Sequence, residues 1–187
     1  VARGHFWLSR TPEEAGSNSS DTLFPRMVTW VKLRPRDRRQ AFYFFNTHFS
    51  AFGDEARRAS ARLLRQRIAR RAGEAPVIVT GDFNADAGSR PHAVLTDRSA
   101  PPALKDTFRA VHADGFVDAG TLHGFDGRAN DQRIDWILSS ADFTPRHAGI
   151  DRSHDDGRYP SDHFPVTAVL DWPRAVAQKE AAAEDAG

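Results

Sequence analysis

Apolar and polar residues alternate along several short stretches of the chain and follow a helical period in one long stretch. Arg26 to Leu33 and Ala41 to Phe49 are rich in β-branched and aromatic residues. The basic, Pro-containing run Arg34 to Arg39 separates them, which predicts two strands joined by an exposed hairpin loop. On the second strand Asn46 and His48 share one face. From Asp54 to Ala72 the period becomes helical, with Ala56, Ala59, Leu63, Leu64 and Ile68 as an apolar stripe and Gly73 as the stop. Pro76 to Thr80 reads as a buried strand that delivers Asp82 at its C-terminal end.

Between Ala87 and Gly115 the pattern loosens, with Pro91, Pro101 and Pro102 as breakers and a short helix expected from Pro91 to Leu95. In Arg133 to Leu138, alternation places Ile134, Trp136 and Leu138 on one side and Arg133 and Asp135 on the other. Phe164 to Leu170 is expected as a closing strand that Pro173 ends. The strand-helix-strand order implies a helix packed on a sheet, with functional groups gathered at strand ends. No internal repeat interrupts this reading.

At 187 residues, 40% hydrophobic and 10% aromatic, the chain suits a single domain with a sizeable core. A net charge of +1 creates no global field for a polyanionic partner. The cations are nevertheless uneven, since Lys32, Lys105 and Lys179 are the only lysines among 26 basic residues. Zero Cys excludes disulfides and thiolate metal sites, leaving carboxylate, carbonyl and imidazole ligands that favour hard ions such as Mg²⁺ or Mn²⁺. No apolar run approaches the roughly 20 residues needed to span a bilayer. The compartment is left open.

Two short motifs carry chemistry. Gly81 to Ala85 reads GDFNA and Ser161 to Pro165 reads SDHFP, so Asp82, Asn84, Asp162 and His163 form one candidate site. Cleaving a phosphate ester calls for a carboxylate to activate water, donors for the charge on the phosphoryl group and a divalent cation. If strand geometry persists past Asp82, Asn84 projects to the same side and Phe83 points into the core. Asp82 would then orient the attacking water or accept its proton, and the Asn84 amide would donate to a phosphoryl oxygen. The competing reading is a plain turn, because Gly, Asp and Asn all favour one. His163, with a pKa in the neutral range, can bind a phosphoryl oxygen or exchange a proton.

Taken in order, FNTHF (Phe45 to Phe49), GDFNA, RIDWIL (Arg133 to Leu138) and YPSDHFPV (Tyr159 to Val166) resemble the endonuclease/exonuclease/phosphatase superfamily. FWLSRTP near the start, the ARRASARLL run and GTLHGF at Gly120 to Phe125 look most like small bacterial members, which are similar to the nocturnin-type deadenylase branch. The chain departs from that pattern in two places. Arg10 stands where such members carry Glu, and Ser19-Ser20-Asp21 replaces a Gly-Trp-Asp stretch. The resemblance implies a four-layer α/β sandwich, two mixed sheets face to face with helices outside. It also implies that the first strands, with an Asn and a metal-binding Glu in a QE pair, precede Val1. Residues 1–172 are expected as the C-terminal part of the catalytic domain, with an unpaired apolar sheet face, and 173–187 as a charged, Ala-rich tail, frayed or disordered.

By the same resemblance, Asp135 holds the His163 ring, Asp162 is a metal ligand, and His48 binds a phosphoryl oxygen or helps protonate the leaving oxygen. Asn46 supports His48, and His123 lines the substrate pocket. The implied activity is a Mg²⁺- or Mn²⁺-dependent phosphoesterase or phosphodiesterase that cleaves P–O bonds by in-line water attack. It is expected to act as a monomer on a nuclease-like substrate, RNA or DNA, with a lipid or sugar phosphoester as the alternative. The reading from another class is a catalytically inert binding module, or an inactive fragment. Seven Arg between Asp54 and Ala72 could track a nucleic-acid backbone, but they mostly avoid the apolar stripe, as on any solvated amphipathic helix. Phe52 and Phe125 could stack on a base or simply pack, and sequence does not separate the two.

Overall fold

Trp30, Phe45, Val79 and Leu138 form one continuous row across four neighbouring strands, each the register partner of the next, and all four are buried. The row is visible in a computed structural model of the chain that describes residues 2–19, 22–99, 101–113 and 119–172. Strands β1 (Ala2–Trp7), β2 (Met27–Leu33), β3 (Phe42–His48), β4 (Val77–Asp82), β5 (Leu104–Asp106) and β6 (Asp135–Ser140) make a six-stranded sheet in the order β1-β2-β3-β4-β6-β5. Only β3 and β4 run parallel; the other neighbours are antiparallel. Parallel neighbours need a crossover, and helix α1 (Asp54–Ala72) provides it.

The row explains why α1 lies where it does. Ala61, Leu64, Ile68 and Ala72 of α1 join Phe45, Val79, Trp136 and Leu138 in one buried cluster, so the helix covers this face of the sheet. The apolar stripe is rotated from the expected one. Ala59 is exposed and Leu63 half-buried, while Ser60, Ala61 and Arg65 turn inward. Arg65 can do so because its guanidinium donates to the carbonyls of Val94 and Asp97, which ties α1 to α2 (Arg90–Thr96). Gly73 closes α1 at φ 56°, with its N–H donating to Ala69 O. Gly4 is required by packing: a Cβ there would lie 2.8 Å from the Trp30 ring.

Four elements had no counterpart in the sequence pattern, the first of them β1. The run 104–111 forms β5 and then the short helix α3 (Thr107–Val111), capped by the Asp106 side chain. Strand β7 (Thr144–Ile150) pairs antiparallel with β8 (Val166–Asp171) in a separate two-stranded sheet. Phe42 of the large sheet meets Phe143 and Trp172 beside this small one, with centroids 6.1 and 5.6 Å away. The architecture is thus a mixed α/β fold with two sheets and flanking helices. On the large-sheet face opposite α1, Val31, Phe44, Ile78 and Ile137 are only half-buried. The tail expected at 173–187 lies outside the described residues, as do Ser20 and Asp21.

Arg133 does not face outward with Asp135 as alternation suggested. It precedes β6, is 4% exposed, and its guanidinium meets Asp106 at 2.5 Å. His92 Nε2 reaches the same Asp106 oxygen at 2.8 Å, giving a buried His–Asp–Arg group. Burial alone would raise the Asp106 carboxyl, but the hydrogen bond with His92 and the charge and hydrogen bond of Arg133 outweigh it and hold its pKa down at about 2.

Candidate active site

Strand register builds the site. His48 is the partner of Asp82 across β3 and β4, and Asp82 is the partner of Asp135 across β4 and β6. The three therefore form one rung at the end of three neighbouring strands. Phe83, immediately after Asp82, is buried and stacks on the ring of Trp136, immediately after Asp135. With both aromatic neighbours in the core, Asp82 and Asp135 are left half-buried at the sheet end. Gly81 permits the tight approach of β4 to β3, since a Cβ there would sit 2.2 Å from Thr47 O.

His163 completes the group from the loop before β8. Its Nδ1 donates to Asp135 Oδ2 at 2.8 Å, which leaves Nε2 open to a ligand. Burial pulls the His163 pKa down, but the hydrogen bond and charge of Asp135, with the charges of Asp82 and Asp162, prevail and raise it above its ordinary value. His48 lies 3.2 Å from Asp82 Oδ2. Burial dominates there and lowers the His48 pKa, with the nearby Arg26 cation acting in the same direction as burial and the Asp82 charge opposing it. Asp82 is raised, first by burial and then by the facing Asp135 charge, against a hydrogen bond from the Asn84 backbone.

Asn84 corrects one expectation. The strand does not persist beyond Asp82, and Asn84 takes a left-handed φ of 48°, a conformation that Asn tolerates better than most residues. Its amide still turns back to Asp82. The Asn84 backbone N–H donates to Asp82 Oδ1 at 2.8 Å, and Nδ2 reaches Asp82 Oδ2 at 3.3 Å and Phe49 O at 3.1 Å. Asn84 thus fixes the carboxylate and ties the end of β4 to the segment after β3.

The remaining sequence candidates are placed differently. Asn46 is one step back from His48 on the same face, and its Oδ1 accepts from Thr80 Oγ1 at 2.8 Å. His123 is 4% exposed and stacked on Phe164 with centroids 4.1 Å apart, so it belongs to an aromatic cluster with Tyr159. Asp162 accepts from the Ser161 hydroxyl at 3.4 Å, and its backbone carbonyl takes the N–H groups of His123 and Gly124. Among the described residues, the one group able to hold a metal ion is Asp82, Asp135 and His163, whose ligand atoms lie within 4.8 Å of one another. Two carboxylates and an imidazole, with no sulfur, fit a hard divalent cation. Asp162, expected as the metal ligand, is not one of the three. Arg26, unnoticed in the sequence, acts electrostatically on His48 from the position immediately before β2.

The model of the Endonuclease/Exonuclease/phosphatase family matches residues 6–163, across every element of the site. The chain belongs to that family. This family member is similar to solved structures from two Bacteroides species. A mannosyl-6-phosphatase of Bacteroides thetaiotaomicron is 31% identical with a TM-score of 0.79, over 91% of this chain and 66% of that one. A family protein of Bacteroides vulgatus is 30% identical with a TM-score of 0.81, over 92% and 66%. The catalytic domain of human nocturnin, with bound sulfate, shares the fold at 19% identity and a TM-score of 0.70, over 92% and 59%. The chain thus spans about two thirds of the length of these Bacteroides relatives. None of the curated proteins compared with it matches. Among the described residues, no helix of this family member is long and apolar enough to cross a membrane.

Proposed function

We propose that the protein is a divalent-metal-dependent phosphoesterase that hydrolyses a P–O bond by in-line attack of water. The observation that carries this reading is the rung His48–Asp82–Asp135 closed by His163, because it gathers an acceptor carboxylate and two imidazoles at one sheet end. Asp82, fixed by Asn84, orients the attacking water and accepts its proton. His163, whose pKa Asp135 raises, donates in its protonated form to the phosphoryl oxygen on which negative charge builds. His48, held neutral, binds a second phosphoryl oxygen, with Asn46 behind it on the same face.

The carboxylates of Asp82 and Asp135 would hold the ion, Mg²⁺ or Mn²⁺, and Asp162 adds negative charge close to His163. When bound, the ion supplies positive charge against the phosphoryl oxygens.

A nuclease-like substrate has weak support from α1. Of its arginines, Arg57 bonds Asp54 and the carbonyls of Ser50 and Ala51, Arg58 pairs with Glu55, Arg65 is buried, and Arg67 pairs with Glu13. Arg71 lies over the Trp30 ring. These cations serve the fold rather than form a track for a polyanion. The Bacteroides thetaiotaomicron relative is named for a sugar phosphate, which favours a small phosphoester over a nucleic acid. Assay of the full-length protein with Mg²⁺ or Mn²⁺ on aryl phosphomonoesters and diesters tests the proposal. Turnover lost on chelation is expected, and no turnover of either ester contradicts it.

A further inference from the structure

A pocket of about 540 Å³ opens beside the carboxylate rung, and Asn84, which fixes Asp82, is one of its walls. Besides Asn84, the charged side chains of Asp54, Arg57 and Asp86 line it, and four further polar groups come from two separate segments. Ser89 and Arg90 stand at the start of α2, while Asn130 and Gln132 stand on the run leading to β6. Ala85, Leu122 and Ile134 supply apolar lining. A volume in this range is ordinary for a small-molecule site.

Asp54, Arg57, Asn84 and Asp86 are engaged within the fold, whereas the other four keep polar atoms uncommitted among the described residues. The Ser89 hydroxyl is buried, makes no cap hydrogen bond to α2 and has no partner among the described residues. Buried polar atoms are nearly always paired, and rotation about χ1 would let this orphan hydroxyl turn into the pocket to meet a ligand atom. Asn130 Oδ1 accepts from the backbone N–H of Gln132 at 3.1 Å, which orients the side chain and leaves Nδ2 uncommitted. Among the described residues, Arg90 pairs only with Glu55, at 4.0 Å.

Among the described residues, no aromatic side chain lines the pocket. Phe52 and Phe125, 61% and 58% exposed, belong to the flanking segments and are not among its walls. A base-binding site relies on stacking, and these walls provide none. A hydroxyl, three carboxamides, two guanidiniums and two carboxylates over an aliphatic floor suit vicinal hydroxyls above a C–H surface.

We infer that this pocket binds the alcohol portion of the phosphate ester, and that it takes a polyhydroxylated, sugar-like group. The inference rests on the phosphoesterase reading above and deepens it. In the reaction a bond forms from the water oxygen to phosphorus as the phosphorus–oxygen bond to the sugar breaks. The leaving oxygen takes a proton, and a monoester yields free sugar and inorganic phosphate.

The test compares a hexose 6-phosphate, a nucleoside 5′-monophosphate and an aryl phosphate on the full-length protein. The wild type is expected to prefer the hexose ester to the nucleotide by tenfold or more in kcat/KM. Asn130→Ala and Gln132→Ala alter surface positions outside the core. Each is expected to lower the preference for hexose ester over aryl ester about threefold to tenfold, the range for one hydrogen bond. A nucleotide preferred to the hexose ester, or a preference unchanged in both variants, overturns the inference while leaving the phosphoesterase reading intact. If no ester is hydrolysed, that reading falls, and calorimetric titration with hexose 6-phosphate decides the pocket alone. Binding weakened by Gln132→Ala supports it, and no binding overturns it.

Discussion

Phe83 and Trp136 stack with ring centroids 4.2 Å apart and planes 10° from parallel, while their sequence neighbours Asp82 and Asp135 are paired directly across β4 and β6. One aromatic contact in the core thus backs the strand register that pairs two half-buried carboxylates. Alternation along a strand makes this possible, since consecutive residues point to opposite sides. Phe83→Ala should cost about 3–5 kcal/mol of stability, as for other buried aromatic truncations. Denaturant unfolding of the full-length protein checks this, and a cost below about 1 kcal/mol would show that the stack does not anchor the rung.

Asp106 makes stability acid-sensitive. Its folded pKa of about 2 lies below the ordinary 3.8, so its contribution is present above pH 4 and is lost as pH falls from about 4 towards 2. A depression of this size corresponds to about 2 kcal/mol. Asp106→Asn should flatten that acid limb and, by leaving Arg133 buried without its partner, lower stability at neutral pH by about 3–5 kcal/mol. Unfolding curves between pH 2 and 7 would show both effects, and parallel curves for the two proteins would contradict them.

In the proposed mechanism, the pairing of His163 with Asp135 should set the alkaline side of activity. A raised histidine pKa contributes stability that is present at low pH and fades as pH rises through the folded value. Asp135→Asn removes the charge and weakens the hydrogen bond, so the His163 pKa should drop. If cationic His163 stabilises the transition state, the alkaline limb of the rate profile should move to lower pH by the same interval. NMR titration of the imidazole provides the independent reading, and an unmoved pKa would refute the pairing.

Metal binding has a readout apart from turnover. Asp82 is raised by burial and by the facing charge of Asp135, so a cation between the two carboxylates relieves an existing repulsion. Mn²⁺ should raise the melting temperature of the wild type in a concentration-dependent way, as any ligand of the native state does. The shift should disappear in Asp135→Ala. An equal shift in that variant would place the ion elsewhere.

Much of the fold could be read from local pattern. The β2–β3 hairpin, α1, β4, α2, β6 and β8 all have a period or a breaker that marks them. Strand β7 does not, because Thr-Pro-Arg-His-Ala-Gly-Ile has no alternation, and its pairing with β8 comes from tertiary contact. The same limit hides the His92–Asp106–Arg133 group. Charged residues read as surface until partners distant in sequence bury them, and Arg133 joins Asp106 from 27 positions away. His123 fails the other way, since a histidine in a polar loop gives no sign that Phe164 will cover it. In the site, GDFN and SDHF were legible as motifs. The left-handed turn at Asn84 was not, because nothing in GDFNA shows where the strand ends.

The most direct measurement is hydrolysis of an aryl phosphate by the full-length protein and by its Asp82→Asn and His163→Ala variants, with melting temperatures recorded alongside. The account predicts Mg²⁺- or Mn²⁺-dependent turnover by the wild type, reduced by about 10²-fold or more in each variant, with melting temperatures within a few degrees. Turnover that survives either substitution, or a wild type that hydrolyses nothing, would contradict it.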